Sequence, residues 1–244
     1  IKLLLDSGAD INAICQICYG QVAIQTALEY SNFELFNYLL QKGADLNVHN
    51  SFNRTLLHSV AHTHNSEAAK LLIEKGLDLN AVDNDGATPL IYAASNGDLA
   101  MFKLLIDNGA ILMTKEFDNS DVLMSAVENN NLDLINFILD KGFDINQKNN
   151  DDDTPLIFAA SSKQPQVVSL LISKGGDINH VNKKGETALL WAIWNNDVET
   201  ARILIEKGAD ITFIDYLKPS KKYINDPVFI QYLKEKIKAK LEYL

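Results

Sequence analysis

Three groups of residues have types and spacings that chemistry would need. His58, His62 and His64 form H-x3-H-x-H, and the first two share a helical face, as paired zinc ligands do. Cys15 and Cys18 form C-x-x-C, the spacing of a dithiol redox pair or of half a zinc site. Residues 149–153 read NNDDD, an oxygen-rich run of the kind that holds calcium. Each falls short. His58 closes a recurring phrase, TLLH, and a structural part suits it better than a metal. The cysteines have neither a second pair nor a thioredoxin-like βαβ context, so they read as ordinary loop thiols of a reducing compartment. The acidic run lacks the alternating ligands, the glycine and the distal glutamate of a calcium loop, and reads as a polar hairpin tip. No Gly-rich phosphate loop, G-x-S-x-G elbow or H-E-x-x-H is present. The sequence therefore predicts no enzyme activity, no metal and no cofactor.

The elements that position these residues are repeated. LLLDSGADIN, YLLQKGADLN, LLIEKGLDLN, LLIDNGAILM, FILDKGFDIN, LLISKGGDIN and ILIEKGADIT follow one another, with glycines at 8, 43, 76, 109, 142, 175 and 208. After a first step of 35 residues the spacing is 33 throughout. A second phrase starts 21 residues before each glycine from Gly43 onward: VAIQ at Val22, TLLH at Thr55, TPLI at Thr88, DVLM at Asp121, TPLI at Thr154 and TALL at Thr187. Thr88 suits a helix N-cap and Pro89 the first helical position, where a missing N–H costs nothing. A second helix, carrying Leu104, Leu105 and Ile106, should end at Gly109 in the left-handed conformation. Two residues before each Thr-type position stand Gly20, Asn53, Gly86, Asn119, Asp152 and Gly185, the types that tolerate positive φ in a tight turn.

The 33-residue period, the T-P-L-[H] start and the G-A-D-x-N end resemble the ankyrin repeat, from residue 1 to about residue 212. The resemblance implies an all-α solenoid of helix pairs joined by short β-turns or hairpins. In that family His58 would brace its turn, and the asparagines at G-x-D-x-N (Asn12, Asn47, Asn80, Asn146, Asn179) would brace the hairpin backbone. Such a helix pair cannot bury its own apolar face and must stack on neighbours. The expected organisation is a half repeat and six full helix pairs over residues 1–215, then a shortened capping repeat over 216–244. Asp226 and Pro227 start its helix, over roughly 227–243, and FIQYLKEK at 229–236 echoes LINFILDK at 134–141. Lysines 234, 236, 238 and 240 would face solvent there. The half repeat at the start suggests that the native chain continues upstream.

Charge limits the partners. Residues 216–244 carry seven Lys and three acids, leaving 15 basic and 29 acidic residues before them. An acidic body argues against nucleic acid, whose phosphates need clustered Lys and Arg. No apolar run is long enough for a bilayer, so no membrane association is expected. The expected partner is another protein, with a basic segment favoured by the charge. The capped end favours a monomer, and the sparing use of cysteine favours the cytoplasm.

Ankyrin-type arrays bind through a concave face made of turn tips and first helices. Counted from the Thr-type residue, positions +2, +5 and +6 should pack inward, and +4, +7 and +8 should share the opposite face. Position +4 reads Thr26, Ser59, Tyr92, Ser125, Phe158, Trp191, and +7 reads Glu29, His62, Ser95, Glu128, Ser161, Trp194. Aromatic side chains anchor interfaces, so Phe158, Trp191 and Trp194 form the expected apolar hot spot, with Tyr92 as a further contact. Asp151, Asp152 and Asp153 are expected to steer a basic segment. The stretch 110–124, AILMTKEFDNSDVLM, loses the Asp, the Asn and the Thr-Pro start, and reads as a locally weak joint or an exposed apolar contact. The sequence predicts a non-catalytic protein-binding module; the alternative is the recognition arm of a larger enzyme or secreted effector whose catalytic domain lies outside this chain.

Overall fold

The computed structural model describes residues 2–112 and 122–212, together with 227, 228, 231–233 and 235. The described secondary structure is helical, with two isolated antiparallel bridges, Cys15 to Gln21 and His49 to Thr55. The chain divides into two compact units, residues 1–129 and 130–244. The first contains α1 (Lys2–Asp6), α2 (Ala23–Glu29), α3 (Phe33–Gln41), α4 (Leu56–His62), α5 (Ser66–Glu74), α6 (Pro89–Ser95), α7 (Leu99–Asp107) and α8 (Val122–Glu128). The second contains α9 (Leu132–Asp140), α10 (Pro155–Ser161), α11 (Pro165–Ser173), α12 (Ala188–Trp194) and α13 (Val198–Glu206).

Within the first unit α2, α4, α6 and α8 stack in one layer and α5 on α7 in a second, while α2–α3, α4–α5 and α6–α7 form antiparallel pairs. In the second unit α10 stacks on α12, α11 lies against α9 and α13, and α10–α11 and α12–α13 are the pairs. Helices of seven or nine residues are too short to persist alone in water, so stacking is what keeps them helical. Leu57, Leu90, Leu123, Leu156 and Leu189 are all within 2% of full burial, and each stabilises its unit by about 1.5–3 kcal/mol.

The inward positions fall as expected: every +2, +5 and +6 residue is buried. Positions +1 and +3 are buried as well, from Leu56 and His58 to Ala188 and Leu190. A first helix is covered by its own partner and by first helices on either side, which leaves only a narrow strip exposed. Ser59 and Ser125 of the expected groove face are buried too, at 4% and 6% exposure.

Local chemistry starts and stops each helix. The hydroxyls of Thr88, Thr154 and Thr187 accept N–H bonds from Ile91, Ile157 and Leu190, with Pro89 and Pro155 in the first turn. Second helices are capped by Asn32, Asn65, Asp98, Asn131 and Asp197, 11 residues ahead of each terminating glycine. The turn position takes positive φ even without glycine, at 60° for Asn53 and 67° for Asp152.

Repeats are then tied to one another through polar side chains. The carboxylates of Asp10, Asp144 and Asp177 accept N–H bonds from the residues two places on, Asn12, Asn146 and Asn179. Those asparagines reach forward to the next repeat: Asn12 accepts from the Asp45 N–H at 2.9 Å, Asn80 from Ile111 at 2.8 Å, Asn146 from Asp177 at 2.8 Å and Asn179 from Asp210 at 2.7 Å. His58 braces its turn as the resemblance implies. Its Nδ1 lies 3.1 Å from the Thr55 N–H nitrogen and 2.9 Å from the Thr55 hydroxyl, and its Nε2 lies 3.0 Å from the Ala87 carbonyl. Gln25, one repeat earlier, makes the equivalent bond to Arg54 O at 3.0 Å.

Asn119, Asp121 and Met113 lie outside the described residues, as do most of the capping repeat over 216–244 and lysines 234, 236, 238 and 240. Of the cap, Tyr232 sets its ring 4.4 Å from the Arg202 guanidinium of α13, and Leu233 is buried. Ile111 is 54% exposed at the start of the irregular stretch 110–124.

Candidate functional site

The three chemistry-bearing groups are spent on structure. His58 is enclosed between Thr55 and Ala87. His62 lies nearly perpendicular to the Tyr92 ring with centroids 6.2 Å apart, and His64 pairs with Asp98 at 2.9 Å. These separate partners hold the three imidazoles to different tasks, and among the described residues no group of three or more His, Cys, Asp or Glu is placed to hold a metal ion. Burial pushes the His58 pKa below its usual value, outweighing the opposing pull of the Ala87 bond and Asp83. In NNDDD, Asn149 Oδ1 accepts from the N–H groups of Asp151 and Asp153, and Asp152 takes the left-handed position, so the run builds a turn. One expectation is corrected: Cys15 and Cys18 are not free loop thiols but are joined by a disulfide. Their loop carries the two-residue insertion, and the Cys15–Gln21 bridge together with the Gly20 N–H bond to Cys15 O folds it back far enough for the sulfurs to meet.

In the second unit Trp191 and Trp194 lie on the exposed strip of α12, both half-buried, with ring centroids 5.6 Å apart at 79°. This edge-to-face geometry is the favoured one for aromatic pairs. The Trp191 indole N–H is buried with no acceptor among the described residues. Phe158 occupies the same position on α10, which packs against α12, and is also half-buried. The three rings therefore share one face of the second unit.

The acidic tip differs from its sequence reading because the next turn supplies cations. Lys184 reaches Asp151 at 2.8 Å, holding that carboxyl below the usual range while its own pKa is raised. Lys148 lies 3.3 Å from Asp152, and His180 Nε2 donates to the Asp152 carbonyl at 2.7 Å. Asp153 accepts from the Asn182 amide at 2.6 Å. Lys183 N donates to Asp151 O, which stitches the two turns together. Lys184 stands one 33-residue step after Asp151. Reading charges at that offset, rather than along one turn, would have found it.

Tyr92 belongs to a different cluster in the first unit. Its hydroxyl donates to Asp83 Oδ2 at 2.8 Å, and its pKa is raised, first by burial and then by that bond. The Arg54 guanidinium lies 5.1 Å from the Phe52 ring and 5.3 Å from the Tyr92 ring, and its Nε is 3.4 Å from the same Asp83 oxygen. The other oxygen of Asp83 accepts from the N–H groups of Asp85 and Ala87. Asp83 stands where three other turns have Asn50, Asn149 and Asn182, and that one substitution brings a charge which recruits Arg54 and Tyr92. The sequence reading named Tyr92 but not Arg54 or Asp83.

Position +8, assigned to the groove, is partly structural. Asn96, Asn129 and Asn195 each donate an amide N–H to a carbonyl at the end of a preceding first helix: Ala61 and His62, Ser95, and Ser161.

Comparison with known proteins agrees with this architecture. The family model for ankyrin repeats in three copies matches residues 23–116 and again 123–215. A crystal structure of the human ASB11 ankyrin repeat domain superposes with a TM-score of 0.72, covering 79% of this chain and 86% of that chain at 23% identity. That likeness concerns the fold. Comparison with curated protein sequences finds no match.

Proposed function

We propose that this chain, which belongs to the ankyrin repeat family, is a non-catalytic module whose second unit grips a protein partner through Phe158, Trp191 and Trp194. Ankyrin repeats are in general protein–protein interaction modules, and the family is typically non-catalytic. No helix among the described residues is long and apolar enough to cross a membrane. The observation that carries the reading is the tryptophan pair: two large rings, half-buried and edge to face, on the strip that stacking leaves uncovered. Rings fixed in this way lose little entropy on binding and present a large apolar area, which is why tryptophan dominates binding hot spots.

The tip residues Asp151 and Asp153 take different parts in this reading. Asp151 is exposed and held by one exposed lysine, so a cation from a partner's basic segment can replace Lys184 there. Asp153, held by Asn182, fixes the turn that presents Asp151. Tyr92 contributes a contact on the first unit through its ring, its hydroxyl being engaged by Asp83.

The test is affinity capture from lysate of the source organism, with the wild-type chain and a Phe158→Ala, Trp191→Ala, Trp194→Ala variant shown by circular dichroism to be folded. A protein captured by the wild type and lost by the variant supports the reading. Equal capture by both refutes the assignment to this face.

A further inference from the structure

The first unit contains a pocket of about 340 Å³, of whose lining only Tyr92 was named above as a partner contact. Its walls include the aromatic side chains Tyr19, Tyr30, Phe52 and Tyr92, with the charged residues Glu29 and Arg54. Tyr19 and Phe52 are in ring contact at 5.5 Å and are 66% and 41% exposed, so the rim is apolar and open. The backbone fixes that rim, since the Ser51 N–H donates to Tyr19 O at 2.8 Å and the Asn84 N–H donates to Phe52 O at 2.9 Å.

The two charges in the walls are not equivalent. Arg54 already has its counter-ion in Asp83 and lies against two rings, so its charge is answered within the protein. Among the described residues Glu29 has only neutral donors: the Gln21 amide on one oxygen and, at 3.4 Å, the Ser59 hydroxyl on the other. Among the described residues no cation stands within ion-pair distance of it. A half-buried carboxylate with no cation of its own among the described residues is open to one that enters. Aromatic faces carry a negative quadrupole that likewise favours a cationic guest.

We infer that this pocket receives a lysine or arginine side chain of a protein partner, its aliphatic stem against Tyr19, Phe52 and Tyr92 and its charged head on Glu29. Long basic side chains cover apolar surface with their stems while the head keeps a polar contact, which matches an aromatic rim above a carboxylate. The inference rests on the reading of the chain as a protein-binding module, but it concerns a separate site in the first unit.

The probe is a displayed library of random peptides selected on the full chain. Enriched peptides are then synthesised and titrated against the wild type, Glu29→Gln and the Trp191→Ala, Trp194→Ala variant, each with its melting temperature measured. The expected result is a set of peptides sharing a Lys or Arg. Their affinity should fall about tenfold in Glu29→Gln, from loss of a charge-assisted bond, and weaken as salt is raised. They should bind the tryptophan variant unchanged. Peptides without a basic residue, or basic ones indifferent to Glu29→Gln, overturn the site. Peptides that depend only on the tryptophans leave the protein-binding reading standing and remove this site; selection of none removes both.

Discussion

The exposed strips of the two units are built from the same repeat positions, yet aromatic residues play opposite parts in them. In the first unit Tyr92 is engaged within the protein: its hydroxyl is bonded to Asp83, its ring is nearly perpendicular to those of His58 and His62, and Arg54 lies over it. In the second unit the equivalent residues, Phe158 and Trp191, have no polar anchor among the described residues, and Trp191 finds its ring neighbour in Trp194. The origin lies in the turn, where Asp83 replaces the asparagine found at Asn149 and Asn182. A carboxylate draws in an arginine and a phenol; an amide does not. An aromatic side chain on a repeat protein's groove face thus offers a partner its whole surface only when the adjacent turn leaves it unengaged, and Tyr92 keeps only the part of its ring that lines the first-unit pocket.

The contrast can be broken or sharpened by substitution. The largest effect belongs to the second unit, where Trp191→Ala with Trp194→Ala is expected to weaken partner binding by about 100-fold or more, the range of a hot-spot pair. Isothermal titration with the captured partner checks it. Next comes His58→Ala, which leaves buried groups on Thr55 and the Ala87 carbonyl without partners and opens a cavity; about 2–4 kcal/mol of stability should be lost in urea unfolding. Tyr92→Phe removes one bond to a charged group and should cost about 1.5–3 kcal/mol, while barely altering partner binding in the second unit. Asn146→Ala removes one tie between neighbouring repeats and should cost about 1 kcal/mol. Lys184→Met should leave the melting temperature unchanged, because Asp151 and Lys184 meet in open solvent.

A pH dependence follows from His58. Burial lowers its folded pKa, so below the unfolded value, about 6.5, the unfolded chain binds a proton that the folded chain resists. The stability contributed by neutral His58 is full above that pH and declines as pH falls from there toward the folded pKa. His58→Gln, which copies Gln25 of the preceding repeat, should flatten the unfolding free energy between about pH 5 and 7 relative to wild type.

The stacked helices were legible in the sequence because each repeat spells out its own stops and starts. Thr88, Pro89 and Gly109 act on residues a few places away, and a 33-residue period displays the same signals again and again. The candidate site was legible only in part. Trp191, Trp194 and Phe158 could be placed on a helical face by counting. The partners that decide what a groove residue can do come from the neighbouring turn, as Lys184 does for Asp151 and Asp83 for Tyr92. A reading confined to one turn misses them. Asn96, Asn129 and Asn195 were assigned to the groove by the same counting, but their amides are taken by carbonyls of a preceding repeat. The disulfide of Cys15 and Cys18 depended on how the inserted loop folds back, which spacing does not reveal.

The most direct test of the protein-binding face uses the fact that the chain has only two tryptophans, Trp191 and Trp194. With 5-fluorotryptophan incorporated, both give fluorine resonances that report on this face and on nothing else in the chain. Addition of the captured partner should shift or broaden both resonances in step with the binding curve from calorimetry. Saturable binding by calorimetry with both resonances unmoved would contradict the account and place the partner elsewhere on the molecule.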